Sequence, residues 1–146
     1  MRRRFRLKKN LKNIYLDIDG VILTRGVTPA LHLDKFLSYV LDKYSVYWLT
    51  SKYRGDNKQI VKYLSQFLLP DVMPLINQIG QTNFTLDKTE AIDFDREFYW
   101  LDDELFDSEK NFLKARSVYD SWIQLNLIDN PNQLLSLING KLGDYK

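Results

Sequence analysis

Three short apolar segments, each ending directly on acidic or hydroxyl side chains, constrain the fold of this chain more than any other feature. They cover residues 14–16, 45–49 and 97–101. Runs of this length, rich in β-branched and aromatic residues and bounded by turn signals, are typical of buried strands. Segments with helical spacing alternate with them, which predicts an α/β fold with a parallel sheet covered by helices on both faces.

The periodicity and the turn residues predict the remaining elements. Helices are expected over residues 31–43, from Asp56 to Pro70, over 86–92, around 108–115 and after Pro131. A short strand is expected over 72–76, although Pro74 weakens it, and a last strand over 118–125. Residues 21–29 and 78–85 are expected to be loops.

The first apolar segment leads into Asp17-Ile18-Asp19-Gly20. If the strand continued, Asp17 and Asp19 would point the same way, and such close carboxylates repel unless a cation lies between them. Gly20 allows a turn and a close backbone approach to a ligand. Paired acids at this position favour a Mg²⁺ site. The alternative is a turn in which Asp makes only local hydrogen bonds.

The other two segments end on Thr50-Ser51 and on Asp102-Asp103. The carboxyl ends of parallel strands lie along one edge of the sheet, where ligands of open α/β sheets bind. We therefore expect up to four carboxylates to meet there, with a divalent cation between them. The Thr50 hydroxyl and the backbone N–H groups after it could hold an anion, and Lys88 is the candidate cation.

Composition narrows the chemistry further. The chain has 146 residues, enough for one domain, which we place at residues 13–146. It has no cysteine and one histidine, His32, which excludes disulfides, thiolate chemistry and His-rich zinc sites. Catalysis would depend on Asp, Glu, Lys, Thr, Ser and Tyr.

Residues 1–12 form a basic arm. They hold seven of the 21 basic residues and no acidic one, which leaves 14 basic against 19 acidic residues in the rest. Such an arm could contact nucleic acid, or it could be a solvated tail or the outer end of the first strand. It lacks the apolar core of a signal peptide, and no run has membrane-spanning length. We therefore expect a soluble, cytoplasmic protein without membrane partners.

Four segments, in order, resemble the motifs of the haloacid dehalogenase-like (HAD) superfamily of phosphatases and phosphotransferases. Residues 17–21 are similar to its first motif, and residues 47–50 to its second. Lys88 resembles the lysine of the third motif, and residues 99–103 resemble the acidic fourth. The resemblance extends from about residue 13 to residue 125 and implies a three-layer, doubly wound, Rossmann-like fold.

The resemblance also implies a role for each matching residue. Asp17 would be the nucleophile that becomes an aspartyl phosphate, and Asp19 the general acid and then the base. Thr50 and Lys88 would bind the phosphoryl group. Ser51 and Gly20 would belong to the same substrate-binding loops. Mg²⁺ would be held by Asp17, Asp19, Asp102 and Asp103, with Asp103 as the first choice for the direct ligand of the last pair.

The second acid of the first motif, Asp19, favours hydrolysis of phosphate monoesters, because P-type ATPases of this family carry Thr there and its dehalogenases lack this Asp. The segments between the motifs are short, which indicates the capless type. An open site suits the end of a phosphorylated macromolecule, or a small phosphorylated molecule enclosed by an oligomer partner. Lys52 and Lys58 are also expected near the site, whereas Glu109 is expected to be solvated or to cap a helix.

Two other classes compete with the phosphatase interpretation. A receiver domain also uses an acidic cluster, a phosphorylated Asp, a Thr and a Lys, but there the acidic pair comes early and the Lys late. A catalytically idle scaffold would keep only the fold. A stable aspartyl phosphate without turnover would favour the receiver, and absence of both activity and Mg²⁺ binding would favour the scaffold.

Overall fold

The computed structural model of the protein describes residues 11–143. Only Leu11 and Lys12 of the predicted basic arm fall in this range. The predicted nucleic-acid contact of the arm therefore concerns residues that lie outside the described ones. The fold is α/β, with a four-stranded parallel sheet flanked by helices. In the described range no helix is both long and apolar enough to cross a membrane.

The strands and the helices are numbered separately, each in chain order. The strands are β1 (Asn13–Leu16), β2 (Leu23–Thr24), β3 (Thr28–Pro29), β4 (Ser45–Trp48), β5 (Phe98–Asp102) and β6 (Trp122–Gln124). The α-helices are α1 (Leu33–Lys43), α2 (Asn57–Leu64), α3 (Met73–Ile76), α4 (Asp107–Ala115) and α5 (Gln133–Asn139). Short 3₁₀ turns cover Lys52–Gly55, Lys88–Ala91 and Tyr119–Ser121. The main sheet has the order β4-β1-β5-β6, and β2 and β3 form a separate hairpin.

Strand β1 lies inside the sheet, and its side chains alternate between two apolar clusters. Ile14 and Leu16 belong to the larger cluster, which contains the buried stripe of α1. Tyr15 belongs to the second cluster, together with Trp100 and Leu113. This alternation is the one expected of a strand that is buried on both faces. The predicted α/β class with a parallel sheet is confirmed.

The predicted strand at residues 72–76 is wrong. This segment forms the short helix α3, in which Pro74 lies in the first turn, where a missing N–H is tolerated. The outer edge of β4 is met instead by Gly80, which makes a single parallel bridge to Tyr47. The Gly80 N–H donates to the Val46 carbonyl at 2.9 Å, and the Gly80 carbonyl accepts from Trp48 at 2.8 Å.

Four other predicted elements have different limits. The helix expected from Asp56 to Pro70 covers only Asn57–Leu64, and turns follow it. The last strand covers only Trp122–Gln124, because the 3₁₀ turn Tyr119–Ser121 takes up the residues before it. Residues 21–29 are not a plain loop, since the hairpin β2–β3 lies within them. The predicted helix over 86–92 is only the 3₁₀ turn Lys88–Ala91, held by Glu90, whose carboxylate accepts the N–H groups of residues 85–87.

Candidate active site

Strands β1 and β5 bring Asp17 and Asp102 side by side. The register pairs Leu16 with Leu101, and the next N–H, that of Asp17, donates to the Leu101 carbonyl at 3.2 Å. Asp103 follows at once. Asp17, Asp102 and Asp103 each offer a carboxylate oxygen, and these oxygens lie within 4.8 Å of one another. The sheet edge therefore carries three carboxylates in the position that the sequence predicts.

Lys88 joins two of these carboxylates. Its ammonium nitrogen lies 2.7 Å from Asp102 Oδ2 and 3.3 Å from Asp17 Oδ2. Its side chain is only 16% exposed, and the Asp102 side chain only 2%. The predicted cation is thus part of the cluster, and the ion pairs are shielded from water.

Burial and charge oppose each other in this cluster. Burial, and next the neighbouring charge of Asp17, raise the pKa of Asp102 to about 8, although Lys88 acts in the opposite direction. Burial works against the ammonium of Lys88, but Asp17 and Asp102 together raise its pKa above the ordinary value. Burial thus keeps a proton on Asp102 at neutral pH in the absence of a metal, and together with Asp17 and Asp103 it forms a group of three acids that could hold a metal ion.

The two acids of the pair at the end of β5 differ in their surroundings. Asp102 accepts the Asp103 N–H at Oδ1, at 2.8 Å, and the Lys88 ammonium at Oδ2. Asp103 is exposed, and its carboxylate interacts with the carboxyl group of Asp102 and helps to raise the pKa of Asp102. Asp102 thus orients its neighbours, whereas the exposed Asp103 is accessible to a ligand.

Gly20 is where the Asp103 carboxylate approaches the backbone. Its φ of +85° lies in the left-handed region, and an added Cβ would stand 2.6 Å from Asp103 Cγ. No L side chain fits there without a shift of the carboxylate. The close approach expected at Gly20 is therefore made, within this chain, by Asp103.

Asp19 is separate from the three clustered acids. Because β1 ends at Leu16, Asp17 and Asp19 do not project together, and the Asp19 side chain is 55% exposed. Its partner is Lys52, whose ammonium lies 3.4 Å from Asp19 Oδ2 and 4.6 Å from the ring centre of Tyr63. Partial burial works against the charge of Lys52, but Asp19 and Tyr63 together outweigh it and raise the pKa of Lys52.

Thr50 and Ser51 follow β4 at the same edge. Thr50 is buried beside the β1 end, since the preceding Leu49 N–H donates to the Leu16 carbonyl at 2.8 Å. The Thr50 hydroxyl accepts the N–H of Lys52 at 3.1 Å. Ser51 is exposed, and no hydrogen bond of its side chain is formed within residues 11–143.

Lys58, also expected near the site, is exposed. It does not line the cleft that opens beside Asp19.

Two features of the site escape sequence reasoning. Tyr53, Arg54 and Gly55 all have positive φ, of 51°, 53° and 77°, so the chain makes a left-handed turn directly after Thr50 and Ser51. Glu109 is 2% exposed and not solvated as expected; it accepts the N–H groups of Lys88 at 2.9 Å and Phe106 at 3.0 Å. Its place in the first turn of α4 is the usual signal for helix capping, which is the second role expected for it.

A cleft of about 650 Å³ opens beside Asp19. It lies between the β2–β3 hairpin on one side and residues 124–128 on the other. Besides Asp19 and Asp103, the charged residues that line it are Arg25 and Lys52. Asp17 and Lys88 do not line it, so the cleft extends away from the buried part of the cluster.

Comparison of the chain with protein-family models finds no match, and comparisons with curated proteins and with solved structures find none either.

Proposed function

We propose that this protein is a Mg²⁺-dependent phosphomonoester hydrolase of the HAD type that acts through an aspartyl phosphate on Asp17. The observation that carries the proposal is the contact of Lys88 with Asp17 and Asp102, next to Asp103, at the carboxyl edge of the sheet. Residues from three distant parts of the chain meet there. Both the residue types and the order of the segments are those that the motif resemblance implies.

The strand order supports the finer part of the fold proposal, a three-layer, doubly wound sheet. If the Gly80 bridge is counted as the third pairing segment, the order across the sheet is third, second, first, fourth and fifth. This is the order of doubly wound folds, in which ligands bind beyond the carboxyl ends of the strands, near the first strand. Asp17 follows that first strand.

The acidic cluster suits a hard divalent cation. Mg²⁺ prefers carboxylate oxygens and keeps several waters, and a site open on one side provides for both. Asp17 and Asp103 would hold the ion, because both oxygens of Asp102 are already engaged by Lys88 and the Asp103 N–H. The ion would draw charge from the phosphoryl oxygens and so make attack by a carboxylate feasible.

The chain's own residues then account for the reaction. An Asp17 oxygen attacks phosphorus as the bond to the leaving oxygen breaks, and Asp19 gives its proton to that oxygen. A water then attacks the phosphorus of the aspartyl phosphate and gives its proton to Asp19, which releases inorganic phosphate and restores Asp17. The Thr50 hydroxyl and the Lys88 ammonium hold the phosphoryl oxygens during both steps.

The first test is the release of phosphate from 4-nitrophenyl phosphate, with Mg²⁺ and with a chelator in excess. We expect turnover that the chelator removes and that returning Mg²⁺ restores, because a carboxylate is a poor nucleophile towards a phosphate dianion without the cation. Metal-independent turnover would contradict the proposal. A stable phosphoprotein without turnover would favour a receiver, and lack of both turnover and Mg²⁺ binding an idle scaffold.

A second prediction concerns Gly20, and the chain contains a matched control. Gly20→Ala should displace the Asp103 carboxylate and weaken Mg²⁺ binding by about tenfold or more, in the range found when groups that orient metal ligands are lost. Gly26 also has positive φ, at +80°, but an added Cβ meets nothing within 4 Å. Both variants bear the backbone strain, so titration calorimetry should show weaker Mg²⁺ binding only in Gly20→Ala. Equal affinities would show that Asp103 is not a ligand.

The proposal also covers the absence of a cap domain, the class of substrate and the cellular location. The segment between β1 and β4 holds a hairpin and one helix, and that between β4 and Lys88 two short helices and a 3₁₀ turn, which supports a capless site. We propose a phosphorylated small molecule or macromolecule end as substrate and the cytoplasm as location. Closure of the site by a second protomer and nucleic-acid contact by the basic arm remain proposals of the same kind.

A further inference from the structure

We propose that the cleft beside Asp19 binds a leaving group that carries a second phosphate, and that Arg25 and Lys52 bind this phosphate. The inference rests on the proposed function, because it assumes that Asp17 attacks the phosphoryl group and that Asp19 protonates the leaving oxygen. It adds the chemical class of the substrate.

The position of the cleft identifies what it would hold. Asp19 and Gly20 line it, whereas Asp17 and Lys88, which would bind the phosphoryl group under attack, do not. A group bonded to the oxygen next to Asp19 must therefore extend into the cleft. A volume of about 650 Å³ is that of a site for a whole small molecule, larger than a phosphate needs.

The charges that line the cleft indicate an anionic leaving group. Arg25 is exposed in the turn of the β2–β3 hairpin and makes no ion pair with any other residue in the range 11–143. Lys52 stands between Asp19 and the ring of Tyr63. The acids that line the cleft, Asp19 and Asp103, both have roles in the proposed chemistry. Arg25 is therefore available for a further anion, and a guanidinium binds phosphate through two hydrogen bonds.

The walls fit the organic part of such a substrate. Tyr63 and Ile128, which is 55% exposed, both line the cleft, and Gln124 and Asn126 add amide groups to its lining. A flat or sugar-like body between two phosphates would meet apolar contacts along these walls and polar contacts at the amides. Both a nucleoside bisphosphate and the phosphorylated end of a nucleic-acid strand have this chemistry, so the test includes both sources.

The test compares pairs of substrates that differ in one phosphate. Adenosine 3′,5′-bisphosphate is compared with adenosine 5′-monophosphate, and a 5′-phosphorylated dinucleotide with the matching mononucleotide. Within each pair, we expect kcat/KM at the 5′-phosphate to be at least about tenfold higher for the compound that has the second phosphate group. This is a typical gain from one bidentate Arg–phosphate contact. A gain only with the bisphosphate would identify a small molecule, and a gain with the dinucleotide a strand end.

Arg25→Gln should bring the ratio of kcat/KM within each pair close to one. Arg54→Gln is the matched control, because Arg54 is also exposed, has the same φ of 53° and does not line the cleft. An unchanged ratio in Arg25→Gln, or an equal loss in both variants, would overturn the assignment of Arg25.

A binding measurement separates this inference from the proposed function. Asp17→Asn, with Mg²⁺ present, should bind the bisphosphate at least about tenfold more tightly than the monophosphate, and adding Arg25→Gln should remove the difference. Equal affinities would overturn the subsite even if the wild type hydrolyses both compounds. If Asp17→Asn binds the bisphosphate more tightly but the wild type hydrolyses neither compound, the result would support the subsite and overturn the proposed hydrolase activity.

Discussion

Asp17→Asn is expected to lower Mg²⁺-dependent hydrolysis of an aryl phosphate by more than about a thousandfold, since loss of a covalent nucleophile removes the whole catalytic route. The amide is nearly the same shape as the carboxylate, but it neither attacks phosphorus readily nor binds Mg²⁺ as well. Asp17 also bears a charge next to the buried Asp102, so its removal relieves repulsion between them. We therefore expect the variant to be folded and at least as stable as the wild type.

Steady-state kinetics and chemical denaturation of the same samples check both parts of this prediction. Asp71→Asn is a suitable control, because Asp71 is exposed and lies far along the chain from the acidic cluster. Retained turnover in Asp17→Asn would rule out the mechanism proposed above. Turnover lost because the variant is unfolded would not count as support. The denaturation curve shows whether the variant has lost its nucleophile or its fold.

Lys88→Met is expected to have the largest effect on stability, about 3 kcal/mol in the metal-free protein near neutral pH, because breaking a buried ion pair leaves an uncompensated charge. Methionine keeps the length of the side chain and removes only the ammonium. Asp17 and Asp102 would then lie together in a shielded place with no cation. The expected measurement is the free energy of unfolding from urea titrations with a chelator present.

This loss should depend on pH in a definite direction. The pKa of Asp102 in the folded protein is about 8, above its ordinary value of 3.8, so the folded state binds more protons than the unfolded state between these values. A raised carboxyl pKa makes the free energy of unfolding fall as pH rises through that window. Without Lys88 the pKa of Asp102 is higher still, so the fall continues to higher pH, and the loss should be larger at about pH 9 than at about pH 5. An equal loss at both values would contradict the assignment of the charge.

Lys52→Met is the matched control for this prediction. Lys52 also pairs with an acid, but its partner Asp19 is largely exposed, and exposed pairs contribute less than about 1 kcal/mol. The double variant Lys88→Met/Asp102→Asn should recover part of the lost stability, because Asn is neutral without a proton, whereas Asp102 must take one up on folding near neutral pH. If Lys52→Met were as destabilising as Lys88→Met, burial would not be the cause.

The parts of the site that could be predicted are those that strand periodicity determines. The three apolar runs end on Asp17, Thr50 and Asp102. Because the carboxyl ends of parallel strands lie at one edge of the sheet, these residues are predicted to meet there. Lys88 could be predicted only from its order in the chain, yet it makes the closest contact in the cluster. For Asp17, Thr50 and Asp102 the deciding signal is the local strand pattern, which can be recognised without knowing how the chain packs.

The parts that could not be predicted depend on tertiary contacts. The strand expected at 72–76 is a helix, because the edge of β4 is completed by one residue, Gly80, which no periodicity marks. The left-handed turn at Tyr53 and Arg54 has no sequence signal either, since both residues normally avoid positive φ. Asp19 separates from Asp17 because β1 ends at Leu16, so the alternation of the strand does not continue through the two acids.

The double hydrogen bond of Glu109 has a consequence for how this edge of the molecule opens. One buried carboxylate ties the amide of Lys88 to the amide of Phe106, at the start of α4. If either segment lifted away alone, a charge would be left in an apolar place with half of its donors. We therefore expect the two segments to open as one cooperative unit, with their amide protons exchanging with solvent in a single opening event. Lys88 should then stay beside the acids for as long as the first turn of α4 is formed.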